Sequence, residues 1–256
     1  MQMLNPHCGI DRDRRGVVQL TICNAGPLNI LGSEAIRAVR EGLETLAPDR
    51  HIRVLVIAGE SPKSMIGGAD IKEMARLDQG SAEKFITGLR DLCEAVRVFP
   101  APVIARLPGW CLGGGLEFAA ACDFRIAGYD AKFAMPEVRV GIPSVIHAAL
   151  LPRLIGWGRA RWLVMTAETI DAATALAWGL VDVAAPEGGL DAAVEKTVDA
   201  LLKCGPEALR AQKALLRQWE ELPLTESINL SIGAFGRSFL TDEPKRLMQA
   251  FIDRKR

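Results

Sequence analysis

The chain has 256 residues, 49% of them hydrophobic and 24% charged, enough for one large domain or two small ones with a substantial core. Its 31 Lys and Arg balance its 31 Asp and Glu, so it lacks the basic excess that drives bulk binding to nucleic acid or an anionic membrane. Three dispersed histidines (His7, His51, His147) and six cysteines without a C-x-x-C pair argue against a zinc or His-ligated iron site, and for buried thiols in a reducing compartment.

Residues 1–15 include Asp11, Arg12, Asp13, Arg14 and Arg15 and hold no apolar stretch of signal-peptide length. No run of about 20 apolar residues follows, so a cytoplasmic location without membrane or nucleic-acid partners is expected. Residues 16–22 (GVVQLTI) read as a strand, and Asn24-Ala25-Gly26-Pro27 turns the chain. Ser33 is placed to cap a helix with apolar positions Ile36, Val39, Leu43 and Leu46, which Pro48 stops. Residues 52–58 (IRVLVIA) form a nearly continuous apolar run, as in a strand covered on both faces.

After the stretch 67–74 (GGADIKEM), a helix over about 81–99 ends before Pro100, and Pro102 leads into a strand at 103–107. Gly113, Gly114 and Gly115 turn into a short helix through 116–121, and a strand at 124–127 follows, then Lys132-Phe133-Ala134 and Pro136-Glu137. From Ser144 onward the pattern is almost wholly helical, with Pro206 and Pro223 as punctuation. Helices around 225–240 and 243–254 carry apolar positions suited to packing on the core or on a neighbouring subunit. Strand and helix alternating over short connections predict an α/β fold with a mostly parallel sheet, followed by an α-helical part.

The common nucleotide and hydrolase motifs are missing: there is no G-x-x-x-x-G-K-[ST], no G-x-G-x-x-G after the first strand and no G-x-S-x-G. Cys111, beside the triple glycine but without a nearby histidine, reads as a core thiol. Three segments remain in order: Gly67-Gly68-Ala69-Asp70-Ile71, Gly113-Gly114-Gly115-Leu116-Glu117 and Met135-Pro136-Glu137. Glycine turns at a helix start can aim backbone N–H groups, from Gly114 and the Gly68-Ala69 turn, at an oxyanion such as a thioester enolate. Glu117 and Glu137 can flank a reacting carbon, one taking a proton while the other gives one, which requires unequal proton affinities. Singly, each has a plainer role: Glu117 complements a helix dipole, Glu137 is a loop carboxylate, and Asp70 caps a helix over 71–77.

These stretches, with 108–124 (PGWCLGGGLEFAAACDF), 133–143 (FAMPEVRVGIP) and Trp178-Gly179-Leu180-Val181, resemble the crotonase family, the enoyl-CoA hydratase/isomerase superfamily. The resemblance implies a spiral of ββα turns over residues 1–195. Over 196–256 it implies a helical region that builds a trimer, often stacked into a hexamer. It implies an oxyanion hole from the N–H groups of Ala69 and Gly114, with Glu117 chiefly the base on water and Glu137 the acid toward the α-carbon. Coenzyme A would enter as part of an acyl-CoA substrate, with no metal and no redox cofactor. It would meet the backbone at Leu28, the channel at Ala69, Asp70 and Ile71, and the tail at Phe251 and Arg254; that basic tail also suits a solvated helix end. Hydration of a 2-enoyl-CoA is the expected reaction, with isomerisation, decarboxylation or thioester hydrolysis through the same enolate as rivals, and an idle acyl-CoA-binding member as a further one.

One segment departs from the family pattern. Where a hydratase continues with a Gly-rich run after Gly141-Ile142-Pro143, this chain has Ser144-Val145-Ile146-His147-Ala148-Ala149-Leu150. His147, near the motifs, either lines the acyl pocket or is a satisfied buried residue.

Overall fold

The computed structural model describes residues 1–253. The chain opens with an antiparallel hairpin, β1 (Gln2–Asn5) and β2 (Cys8–Arg12), which continues antiparallel into β3 (Val17–Ile22). The sequence pattern predicts no strand before residue 16, so this hairpin is an addition. The short β4 (Ile30–Leu31) precedes α1 (Ser33–Leu46), then come β5 (Val54–Gly59), β6 (Gly68–Ala69), α2 (Ile71–Met74) and α3 (Gln79–Arg97). The middle of the chain holds β7 (Val103–Leu107), β8 (Trp110–Leu112), α4 (Gly114–Ala121), β9 (Phe124–Ala127) and β10 (Lys132–Ala134). Beyond two 3₁₀ turns, Glu137–Val140 and Ile146–Leu150, run α5 (Leu151–Thr166), β11 (Ile170–Asp171), α6 (Ala172–Trp178) and β12 (Val183–Ala184). The chain ends with α7 (Leu190–Leu202), α8 (Pro206–Glu221), α9 (Leu224–Ser238) and α10 (Glu243–Asp253). Helix α7 runs across residue 195, the boundary that the family likeness implies.

The main sheet has the order β1-β2-β3-β5-β7-β9-β12 and is parallel from β3 onward. Strand β5 shows why the apolar run there is continuous. Because successive side chains alternate between faces, Leu55 and Ile57 enter the larger core beside α1 and α3, and Val54 and Val56 enter a second cluster with Val194, Val198 and Leu201 of α7. Helix α1 buries Ile36, Val39, Leu43 and Leu46, the positions expected from their spacing.

Two helix starts differ from the sequence-based expectation, each because another group supplies the cap. Gly32, not Ser33, is the cap residue of α1; Glu73 of α2 reaches back to accept the Ser33 N–H at 2.9 Å. Helix α3 begins two residues early because Asp78 caps it, accepting the Ser81 N–H at 2.8 Å while the Ser81 hydroxyl oxygen accepts the Asp78 N–H at 2.9 Å. Pro206 and Pro223 stand at the starts of α8 and α9, as their punctuation predicts. Buried Lys213 of α8 docks that helix beneath the end of α4, its ammonium 2.6 Å from Asp123 and 3.1 Å from the Ala101 carbonyl. Among the described residues no helix is long and apolar enough to cross a membrane.

Candidate active site

A cavity of about 220 Å³ opens where β6, α3, α4 and the loop after β10 meet. Its wall is mainly apolar, with Met74, Phe85, Ile86, Leu89, Ile142 and Val145, and two carboxylates, Glu117 and Glu137, face it. Gly68, Ala69, Gly113 and Gly114 form the backbone side.

That side is built by close approach. Gly113 caps α4 with φ +52°, in the left-handed region that L residues avoid, and a Cβ there would collide with the Glu137 carboxylate. At Gly115 a Cβ would strike the Ile66 carbonyl just ahead of β6, so the two turns touch backbone to backbone. As the first residue of α4, Gly114 has an N–H outside the helix's own hydrogen-bond ladder. In β6, Ala69 pairs in register with Leu31 and the next N–H, that of Asp70, bonds the Leu31 carbonyl at 3.0 Å. Adjacent strand N–H groups point opposite ways, so the Ala69 N–H faces away from β4.

Helix α4 is buried at all eight residues, and Glu117 is its single ionisable one, 3% exposed. Such a helix is apolar on every face because it has no solvent side. Burial pushes the Glu117 carboxyl up to about 8; the Glu137 charge adds to the rise, and N–H bonds from Ala148 and Val145 oppose it. The Ala148 N–H lies 3.1 Å from Glu117 Oε1. Glu137 starts the 3₁₀ turn after Pro136, and the Ser144 hydroxyl donates to its Oε2 at 2.8 Å. The segment 144–148 thus touches both carboxylates, a role that its side chains do not announce in the sequence. Within it Ile146 has φ +39°, a conformation costing a β-branched residue about 1–3 kcal/mol.

The structure brings Glu117, Glu137, Ala69, Gly114 and Ile71 together on one cavity. Asp70 is outside the lining and caps α2, accepting from the Lys72 N–H at 2.8 Å and the Glu73 N–H at 3.3 Å; α2 stops at Met74, short of the expected residue 77. Leu28 is also outside the lining, and its carbonyl accepts the Gly67 N–H at 2.7 Å. Phe251 is on α10 and is not part of this cavity's wall within the single chain. Arg254 lies outside the described residues. Of the two readings of His147, the structure gives the buried one: it is 7% exposed, absent from the cavity wall, and its Nε2 is 2.8 Å from Glu94 Oε1 of α3. Cys111 is a core thiol, as expected.

The model of the family described as "Enoyl-CoA hydratase/isomerase" matches residues 12–256. A crotonyl-CoA hydratase of Syntrophomonas wolfei is 33% identical over 230 residues, 90% of this chain and 88% of that relative. A short-chain-enoyl-CoA hydratase of Clostridium acetobutylicum is 30% identical over 241 residues, 94% of this chain and 92% of that one. Among solved structures, an enoyl-CoA hydratase of Mycobacterium smegmatis superposes with a TM-score of 0.93 at 29% identity, covering 98% of this chain and 97% of its own.

Proposed function

The chain belongs to the enoyl-CoA hydratase/isomerase family and is an enzyme of it, and from that premise we propose that it adds water across the α,β double bond of a 2-enoyl-CoA. The observation that carries this reading is the carboxylate pair Glu117 and Glu137 facing one apolar cavity beside the Ala69 and Gly114 N–H groups.

Hydration places the water oxygen on the β-carbon and a proton on the α-carbon, and negative charge gathers on the thioester oxygen between the two events. The N–H groups of Ala69 and Gly114 hold that oxygen. One carboxylate takes a proton from water while the other gives one to the α-carbon, so the pair must hold one proton at the start. In the free protein that proton rests on Glu117, whose burial favours the neutral form. Use of Glu117 as the base, the role the family likeness implies, requires the resting proton to pass to Glu137 by way of the reacting water as substrate arrives. The two groups titrate as a pair. Coenzyme A enters as part of the substrate, and residues of the chain do the remaining work.

The same family likeness supports a homotrimer or hexamer built through residues 196–256, where Ile232 and Phe235 of α9 stand 72% and 68% exposed. Phe251 would then reach coenzyme A from a neighbouring subunit.

Assays of the protein and of Glu117→Gln and Glu137→Gln on crotonyl-CoA and longer enoyl-CoAs test the reading. Each variant is expected to lose about 10²–10⁴-fold in kcat; full activity in either one removes the assignment. For the wild type, kcat/KM should fall as pH rises through about 8, where the pair gives up its last proton. Deuterium entering the α-carbon without net hydration would favour isomerisation instead.

A further inference from the structure

We propose that His147 and Glu94 form a clamp that holds the 145–148 turn against Glu117, which makes His147 a positioning residue for the carboxylate pair. The proposal rests on the reading of Glu117 as a reacting group.

The turn has a reason to open. Ile146 is a β-branched residue at φ +39°, and such backbone persists where neighbours over-determine it. On either side of His147, the Ala148 N–H bonds the Glu117 carboxylate at 3.1 Å, and the Val145 backbone also favours its ionised form. Between them His147 turns away from the cavity and meets Glu94 at 2.8 Å. Glu94 is itself tied back: Arg97, one turn along α3, lies 3.2 Å from it and 2.8 Å from both Glu220 and Glu221 of α8. A strained turn with an anchored side chain at its centre has the form of a held device.

Burial keeps the imidazole of His147 neutral; Glu94 pulls the other way, and Arg97 and Arg217 add to the burial. A neutral ring facing a carboxylate donates from Nε2, and the buried Nδ1 then has no hydrogen-bond partner among the described residues. Charged or titratable neighbours are therefore Glu94 and Arg97 on α3 and Arg217 on α8 for His147, and Glu137 and the Cys93 thiol for Glu117. With the ring neutral, the clamp acts on Glu117 through the geometry of the turn.

A ¹³C-glutamate NMR titration of the substrate-free protein tests this, the Glu117 carboxyl being identified by its loss in Glu117→Gln. In His147→Ala the Glu117 midpoint should rise by about one pH unit, the worth of one lost hydrogen bond to the ionised form. Glu94→Ala should give the same rise, and the double variant no more than either single one. His147→Gln, which can still donate to Glu94, should restore the midpoint. In turnover, His147→Ala should lower kcat about tenfold with KM within about twofold. An unmoved midpoint in folded His147→Ala overturns the proposal, as do additive shifts; where His147→Ala does not fold, Glu94→Ala, altered at a half-exposed position, decides alone. Because the titration needs no substrate, it still decides the clamp if the protein hydrates no enoyl-CoA.

Discussion

Helix α4 and helix α9 are both rich in apolar residues, yet α4 is buried throughout while α9 leaves Ile232 and Phe235 mostly in solvent. The apolar content of α4 is spent within the chain: Leu116 and Phe118 join the main core, and their packing strips water from Glu117. The apolar face of α9 does no comparable work within one chain. The same hydropathy thus serves to tune a carboxylate in one place, and stays exposed on the single chain in the other.

The comparison breaks first at Glu117. If burial of α4 serves chemistry rather than stability, Glu117→Gln should remove activity while costing no stability, because a neutral amide can keep the Ala148 N–H bond. The pH dependence of stability sharpens the point. A carboxyl whose folded value is raised from 4.5 to about 8 contributes stability that is complete below 4.5 and is lost as pH rises through about 8. Wild-type unfolding free energy should therefore fall by a few kcal/mol across that window, because a tenfold difference in proton affinity between folded and unfolded chains is worth about 1.4 kcal/mol. The fall should be absent in Glu117→Gln. Denaturant titrations at pH 5 and pH 8.5 measure both.

A matched pair of truncations comes next. Leu116→Ala in α4 should destabilise by about 2–5 kcal/mol, the cost of a cavity in a packed core. Ile232→Ala in α9 should change chain stability by about 0.5 kcal/mol or less. Thermal melts at several protein concentrations check the pair: a large Ile232→Ala effect that grows with concentration would mean that a second copy covers α9 and that the contrast belongs to the isolated chain. The smallest effect is expected for Phe235→Glu, which should leave the melting temperature of a dilute sample almost unchanged while reducing the assembled mass seen by light scattering.

The legibility of the molecule in its sequence follows the same divide. Gly113, Gly114, Glu117 and Glu137 stand out because backbone geometry requires glycine at fixed places, and a carboxylate in an apolar helix is conspicuous. Core strand β5 stands out because both its faces are buried. The hairpin of β1 and β2 does not, since its polar residues interrupt any alternation. The sequence points to adjacent Ser33 as the cap of α1, although the capping carboxylate comes from Glu73, 40 residues away, a partnership that only the folded chain creates. The segment 144–150 is recognisable as a departure, yet its part in holding Glu117 is hidden because a backbone N–H does the holding and every residue but proline has one, while the Ser144 hydroxyl that meets Glu137 looks like any loop serine.

The contact of Gly115 with the Ile66 carbonyl has a consequence for how such a site can diverge. The two proposed oxyanion donors are held in register by main chain against main chain, whereas the apolar cavity wall is made mainly of side chains from α2, α3 and the loop after β10. Substitutions in that wall can resize the acyl space one residue at a time without altering the donors' spacing. Selectivity can drift in this protein while the charge-stabilising geometry stays fixed, an uneven mutability set by one missing Cβ.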